Sequence, residues 1–491
     1  MNINIKNIGE NECVCDALIL PAAEGCFNNL KDLKTSVSGL LGRISPAEFQ
    51  GKKNELLLIP SPDDIRPKRI LLVGLGKKEE IDPETVRQAG GKALAHLRNS
   101  GVSTAALSIA TLSDLNMSPA YFIEGALLGL YTYDRYKKEK ETKSVHEITI
   151  LTAPSKSLAE HLKTVTALAS GVYFARDLVN APSNDMTPSD MARAALSLKG
   201  KNITVSILEK KACEKLGMGS YLSVSKGSIE PPKFIVLEYN PKHKGARKAP
   251  VVLIGKSVTF DSGGINIKPS EGLEKMKYDM AGGAAVLGII KAAAALKLPV
   301  SLVGILPATE NLPGGNATRP GDIVRAIDGT TIEIINTDAE GRLTLADALG
   351  YAKKYKPSAV IDIATLTGAC SIALGNETVA MMGTDRVLID TLRQSADFTN
   401  EKVWEMPLYE EYREYLKSDV ADIKNIGGRT GSLVTSARFL KEFAGDLPWV
   451  HLDIAGTAWT EKDKPYTPKG ASGIGVRLIV DVLLKSLRRT A

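Results

Sequence analysis

Six short apolar runs in the second half of the chain limit its architecture more than any other feature. They cover residues 204–208, 233–239, 251–254, 300–306, 359–364 and 449–454. Several are apolar at nearly every position, as strands buried on both faces are. Helical stretches fill the gaps. The clearest is 280–296, rich in Ala and Gly and suited to close packing on a sheet. Strands alternating with helices in this way predict a helix–sheet–helix domain with a central sheet. In such domains ligands gather beyond the carboxyl ends of the strands.

The first part of the chain reads as a second α/β module. Strand-like runs fall at 15–20, 55–59, 69–73, 104–109 and 147–151, with helical stretches at 82–98 and 120–131. Val73-Gly74-Leu75-Gly76 resembles the start of a nucleotide loop, but Glu79 stands where a third glycine belongs, so it reads as a tight turn. The charged stretch 134–143 reads as an exposed hinge. A long helical pattern at 157–179 bridges to the breaker cluster Asn180–Asp185. Thr187-Pro188 then opens a new helix with a hydroxyl cap and a proline in the first turn. The expected fold is α/β throughout: a smaller N-terminal α/β domain (1–155), a linking helix and connector (156–186), and a larger C-terminal α/β domain (187–491) with a central mixed sheet flanked by helices.

With 491 residues the chain exceeds one ordinary core. A net charge of +6, spread thinly, argues against nucleic-acid binding as the main task. Met1–Lys6 alternates like a strand and carries no leader pattern, and no run of about twenty apolar residues stands out, so no membrane span is expected. Five cysteines (Cys13, Cys15, Cys26, Cys213, Cys370) without regular spacing fit reduced thiols in a cytoplasm. Cys13-Val14-Cys15 reads as strand packing. The five histidines are scattered (His243 among them) and no H-E-x-x-H occurs, so a histidine-based zinc site is not expected.

The chemistry-bearing residues fall in a few segments. Asn336-Thr337-Asp338-Ala339-Glu340-Gly341-Arg342 lies between a β-branched run (331–335) and a helical pattern (343–354). In an extended segment Asp338 and Glu340 share a face, and two such acids repel unless something positive lies between them. A second cluster holds Lys256 and Asp261 after the strand 251–254, Lys268 in the following loop, and Asp279 at the start of the Ala/Gly helix. Each alone fits a solvated surface charge; together they do not. Asp261, Asp279, Asp338 and Glu340 supply about four negative charges, which two divalent cations balance. Carboxylate-rich sites suit Mn²⁺, Mg²⁺ and Zn²⁺. A lysine beside such cations can lose its proton, which makes Lys256 a candidate nitrogen ligand.

Asn336–Leu343 resembles the signature of the leucyl aminopeptidase family, cytosolic two-metal exopeptidases. The segments 256–261, 267–270, 278–283, 316–322, 365–369 and 451–456 resemble that family's other motifs, in the same order. Ser257 departs from it, standing where the family often has glycine. The resemblance covers about residues 170–485. It implies a catalytic metallopeptidase domain. It also implies that Lys256, Asp261, Asp279 and Glu340 bind one metal, and that Asp261, Asp338 and Glu340 bind the other. Asp261 and Glu340 would bridge the two, and the backbone carbonyl of Asp338 would help.

Lys268 and Arg342 would be the catalytic pair. Met276, Asn336, Thr365, Leu366, Gly368 and Ala455 would line the substrate site, with Met276 and Ala455 forming an apolar pocket that favours leucine-like residues. One metal would take the substrate's free amino group. Lys268 would stabilise the oxyanion. Arg342 would hold bicarbonate as a proton shuttle. The cofactors implied are two divalent ions, Mn²⁺ or Zn²⁺ and possibly Mg²⁺. The partners implied are peptides with a free amino terminus and further copies of the chain in a homohexamer. From another class, the alternative is a DNA-binding regulatory protein with a secondary peptidase site.

Overall fold

The computed structural model describes residues 1–25, 35–139, 143–241 and 249–488. Cys26, His243 and residues 140–142 of the charged stretch lie outside them. The chain forms two compact units. One is Met1–Ala169 with Lys462–Lys469; the other is Ser170–Glu461 with Gly470–Ala491. The division falls inside the long helix Lys156–Asn180, after Ala169. The return of Lys462–Lys469 to the first unit has no signal in the sequence.

Among the described residues the first unit holds six strands: β1 Asn2–Lys6, β2 Ala17–Ala23, β3 Leu56–Pro60, β4 Arg69–Gly76, β5 Thr104–Ser108 and β6 Glu147–Leu151. Their order is β1-β6-β5-β2-β4-β3, parallel except where β3 runs against β4 at the edge. The helix Pro83–Asn99 starts where the Asp82 carboxylate accepts the Thr85 N–H at 2.7 Å. Two local readings change here. Val73–Gly76 is the end of β4, not a turn. Cys13 and Cys15 are buried with Val14 outward, as packing requires, but in a loop ahead of β2 rather than in a strand.

The second unit is built on β7 Ile203–Glu209, β8 Lys233–Tyr239, β9 Val251–Gly255, β10 Ser257–Asp261, β11 Leu302–Asn311, β12 Ile323–Arg325, β13 Thr331–Glu333, β14 Ala359–Ala364, β15 Val379–Gly383, β16 Val403–Glu405, β17 Ile423–Lys424 and β18 Trp449–Asp453. Nine of them make one mixed sheet, β16-β15-β18-β14-β9-β11-β8-β7, with β10 paired to β11. The middle of that sheet is parallel: β18, β14, β9 and β11, with β10 parallel to β11. All five residues of β9 and of β18 are buried; β9 is apolar throughout, as such burial favours, while β18 buries His451 and Asp453 as well.

The helix Ala281–Leu296 is buried along most of its length. With the 3-10 turns before it, Leu273–Leu296 reaches a mean hydropathy of 1.5 over its most apolar window, enough on length and composition to cross a membrane. The sequence reading passed over it because Lys275, Lys277 and Asp279 interrupt the first turns. Since 78% of that window is buried within the fold, it is a core helix.

Candidate metal centre

The carboxyl ends of the parallel strands meet at one place. β9 ends at Gly255, and Lys256 follows with its side chain buried. Asp261 closes β10. Asn311 closes β11, Thr365 follows β14 and Asp453 closes β18. This is the end of an α/β sheet where ligands bind. Asp279 comes from the 3-10 turns Leu273–Met280 that lead into the buried helix.

Asp338 and Glu340 arrive by a route other than strand alternation. β13 stops at Glu333, so Asp338 sits in a turn and Glu340 is the first residue of the helix Glu340–Ala352. The turn is held at Thr337. Its hydroxyl donates to the Gly263 carbonyl at 2.7 Å, and its N–H donates to Asn266 Oδ1 at 2.9 Å. Asn336 Oδ1 accepts the Asp338 N–H at 2.8 Å. Gly341 is needed for a different reason: a Cβ there would stand 2.5 Å from Lys256 Cε. Gly263 has φ +87°, and a Cβ on it would meet the Asn266 carbonyl at 2.3 Å and Asp338 Oδ1 at 2.8 Å. Ser257 fits without disturbing Lys256. Its hydroxyl turns back to the Gly255 carbonyl at 2.8 Å, into space that Gly283 leaves open.

Six of the seven proposed ligand and catalytic side chains form one ionic cluster. Lys256 Nζ lies 2.8 Å from Asp279 Oδ1, 2.8 Å from Glu340 Oε1 and 2.9 Å from the Thr365 carbonyl, so its three protons are all used. Lys268 Nζ lies 2.8 Å from Asp261 Oδ2 and 2.5 Å from Asp338 Oδ1. Oxygens of Asp261, Asp338 and Glu340 lie within 4.8 Å of one another. Arg342, the seventh, donates Nη1 to the Asn425 carbonyl at 2.8 Å and has no ion pair with these acids among the described residues.

Four acids against two ammonium groups leave an excess of negative charge in a buried place, and protonation follows it. Burial lifts Asp261 to about 6, with Glu340 adding to the rise against Lys268 and Lys256. Burial likewise lifts Asp279 well above the ordinary carboxylate range. Glu340, also buried, is held below its ordinary value because Lys256 and Lys268 both act on it. Both lysines are raised: burial works against their charge, but the facing carboxylates outweigh it. Burial brings Arg342 down to about 10, against the pull of Glu340, Asp453 and Asp338.

The cluster fits divalent cations on its own geometry. Asp279 Oδ2 and Glu340 Oε2 are buried without a hydrogen-bond partner, an arrangement that is costly unless a cation completes it. The donors are carboxylate oxygens with one amine, which suits hard and borderline divalent ions. Arg342 Nε is buried and unpartnered as well.

The residues expected to line a substrate site divide into two groups. Met276, Leu366 and Ala455 are half-buried and Gly368 is exposed at the start of the helix Gly368–Leu374. Thr365 is buried, and its hydroxyl donates to Asp279 Oδ1 at 2.6 Å, so it braces an acid. Asn336 braces the turn as described. The sequence reading missed four polar residues. Asp453 accepts from the Leu366 N–H at 3.1 Å, the Ala455 N–H at 3.1 Å and the Thr367 hydroxyl at 2.8 Å, joining two lining loops. Asn266, Asn311 and Asn425 brace the acidic turn and its surroundings. Their only signal is position, a polar residue at or beyond a strand end.

An α/β sheet bearing acids and a lysine at its parallel strand ends has the makings of a metal-binding α/β protein. The model of the cytosol aminopeptidase family catalytic domain matches residues 173–480, and that of the family's N-terminal domain matches 24–140. A probable cytosol aminopeptidase of Geobacter sp. (strain M21) is 46% identical, over 98% of this chain and 99% of its own. One from Pseudomonas aeruginosa (strain LESB58) is 40% identical over 99% of each. Among solved structures, a mutant tomato leucine aminopeptidase superposes with TM-score 0.88 at 34% identity, over 99% of this chain and 96% of its own. The bottromycin maturation enzyme BotP in complex with Mn gives 0.85 at 33%, over 96% and 100%. The chain belongs to the cytosol aminopeptidase family.

Proposed function

We infer that this chain is a metal-dependent aminopeptidase that hydrolyses the amino-terminal residue, leucine and other mainly apolar residues, from peptides. The observation that carries the reading is the convergence of Lys256, Asp261, Asp279, Asp338 and Glu340 at the strand ends, with two carboxylate oxygens left over. Those five residues would hold two divalent cations, Mn²⁺ or Zn²⁺ and possibly Mg²⁺. Bound there, such ions supply a water acidified toward neutral pH and a seat for the substrate's amino group.

The chain's own groups do the rest. Lys268, at the open side of the cluster, donates to the scissile carbonyl oxygen as negative charge builds on it. Arg342 keeps its Nε–H for a small oxyanion; bicarbonate held there would carry the proton from the attacking water to the leaving amine. Met276, Leu366, Gly368 and Ala455 would contact the first side chain, with Met276 and Ala455 its apolar wall. Thr365 and Asn336 would act there through Asp279 and the turn.

The domain bounds 1–155, 156–186 and 187–491, a homohexamer and a cytoplasmic location remain parts of this proposal. The last draws support from the names of the relatives. The nucleic-acid alternative draws no support from the site or from the matched families. The test is release of leucine from leucyl amide by chelated and Mn²⁺- or Zn²⁺-reconstituted protein, with an N-acetylated substrate as control. Metal-dependent release from the free amide alone is expected. Equal turnover of the acetylated substrate, or none with any divalent ion, would overturn the reading.

A further inference from the structure

We propose that two buried asparagines divide the positioning of this site: Asn311 fixes the acidic turn that holds metal, and Asn425 fixes Arg342. The inference rests on the aminopeptidase reading above. Asn311 closes β11 and is 4% exposed. Its Nδ2 donates to Asp261 Oδ1 at 2.8 Å and to the Thr337 carbonyl at 3.0 Å. Its own carbonyl accepts the Ser262 N–H at 2.9 Å and hydroxyl at 2.8 Å. One side chain therefore sets the distance between the strand carrying Asp261 and the turn carrying Asp338 and Glu340. An amide does this without charge, so it adds nothing to the excess of acids. Groups that orient metal ligands in this way commonly matter 10- to 100-fold in metal affinity.

Asn425 is fully buried and stands one residue beyond β17, where its N–H continues the pairing with β13 by donating to the Glu333 carbonyl at 2.9 Å. Its side chain occupies the backbone just before the acidic turn. Oδ1 accepts the N–H of Ile335 at 2.9 Å and of Asn336 at 3.3 Å, and Nδ2 donates to the Asn336 carbonyl at 2.7 Å. Its main-chain carbonyl is the acceptor for Arg342 Nη1. Removing the side chain loosens the carbonyl that aims the guanidinium. Asp338 and Glu340 keep their main anchors, because Thr337 is still tied to Gly263, Asn266 and Asn311; only Asn336, whose Oδ1 accepts the Asp338 N–H, loses support. Asn425 is thus a positioning residue acting through Arg342.

The experiment measures Mn²⁺ affinity of chelated protein by calorimetry, and kcat and KM on leucyl amide, for Asn311→Ala, Asn425→Ala, Arg342→Ala and the last two combined. Asn311→Ala is expected to weaken Mn²⁺ binding roughly 10- to 100-fold. Asn425→Ala is expected to leave Mn²⁺ affinity within about threefold and lower kcat at least about tenfold at unchanged KM. In the Arg342→Ala background the Asn425 effect should shrink below about threefold, because both changes remove one function. Asn425→Asp keeps the acceptor for Ile335 and Asn336 and should recover part of the kcat.

Equal loss of Mn²⁺ affinity in both single variants, or an Asn425 effect undiminished without Arg342, overturns the division. Asn311→Ser and Asn425→Ser replace any alanine variant that fails to fold; if the serine forms also fail, these residues serve stability alone and the proposal falls. Absence of leucine release by the unsubstituted Mn²⁺-loaded protein would instead overturn the aminopeptidase reading, while the calorimetry still decides between the two asparagines.

Discussion

Replacing Lys268 by methionine should make the protein bind Mn²⁺ more tightly while it stops turning over. The reasoning is competition for oxygen. Lys268 Nζ lies on Asp261 Oδ2 and Asp338 Oδ1, two of the atoms a cation would take. Its side chain is 21% exposed and Asp261 is 3% exposed, so most of the ion pair is out of water. Removing one partner of a buried pair costs about 3–5 kcal/mol; partial exposure of Lys268 places the loss near about 3 kcal/mol. That loss falls on the chelated protein. With a cation on the same oxygens, a neighbouring ammonium is repelled, so deletion there is not penalised.

The difference appears in binding: about 1.4 kcal/mol per tenfold makes Mn²⁺ roughly 10- to 100-fold tighter. The measurement is isothermal calorimetry of Mn²⁺ into chelated wild-type and Lys268→Met protein at pH 8. At that pH wild-type Asp261, with its carboxyl at about 6, is ionised; loss of Lys268 lifts it further, so proton uptake by the chelated variant holds the gain toward the lower end of that range. Turnover of leucyl amide should fall at least about 100-fold, the scale of losing an oxyanion donor. Unchanged or weaker Mn²⁺ binding would refute the competition.

Three further outcomes follow from the geometry. Glu340→Ala should abolish turnover and weaken Mn²⁺ binding, the opposite sign in calorimetry from Lys268→Met, because Glu340 brings two oxygens, one of them unpartnered. Gly341→Ala should do nearly the same by displacing Lys256, whose Cε would lie 2.5 Å from the new Cβ; bound metal per chain by elemental analysis checks it. Burial pushes Asp347 up to about 7 although it accepts the N–H groups of Tyr221 and Ile327, each at 2.7 Å. Its carboxyl is raised on folding, so the proton-linked stability is complete below about pH 4 and is lost as pH rises through 7, up to about 4 kcal/mol. Asp347→Asn should flatten the fall of Tm between pH 5 and pH 8, and parallel curves for the two proteins would contradict this.

The central sheet was legible because strands buried on both faces are mostly apolar, as at 251–254 and 302–306. Val73–Gly76 was misread because glycines inside a strand look like a turn until the neighbouring backbone is seen. The seven chemistry-bearing residues were legible as charges clustered in short segments, and the family resemblance implied that they meet; the route by which they meet was not legible. Asp338 and Glu340 were paired on strand alternation, whereas a turn held at Thr337 brings them together. Asn266, Asn311 and Asn425 stayed invisible since a single asparagine carries no pattern; each matters through hydrogen bonds to segments tens of residues away in sequence. The return of Lys462–Lys469 to the first unit is a tertiary fact of the same kind.

The spread of the site over β9, β10, β11, β14 and β18 has a consequence for synthesis. A growing chain still lacking Trp449–Asp453 has no Asp453 to tie Leu366 to Ala455, and its central sheet stops at β14 on that side. Hydrolytic competence therefore waits for that strand, which ends at residue 453 of the 491.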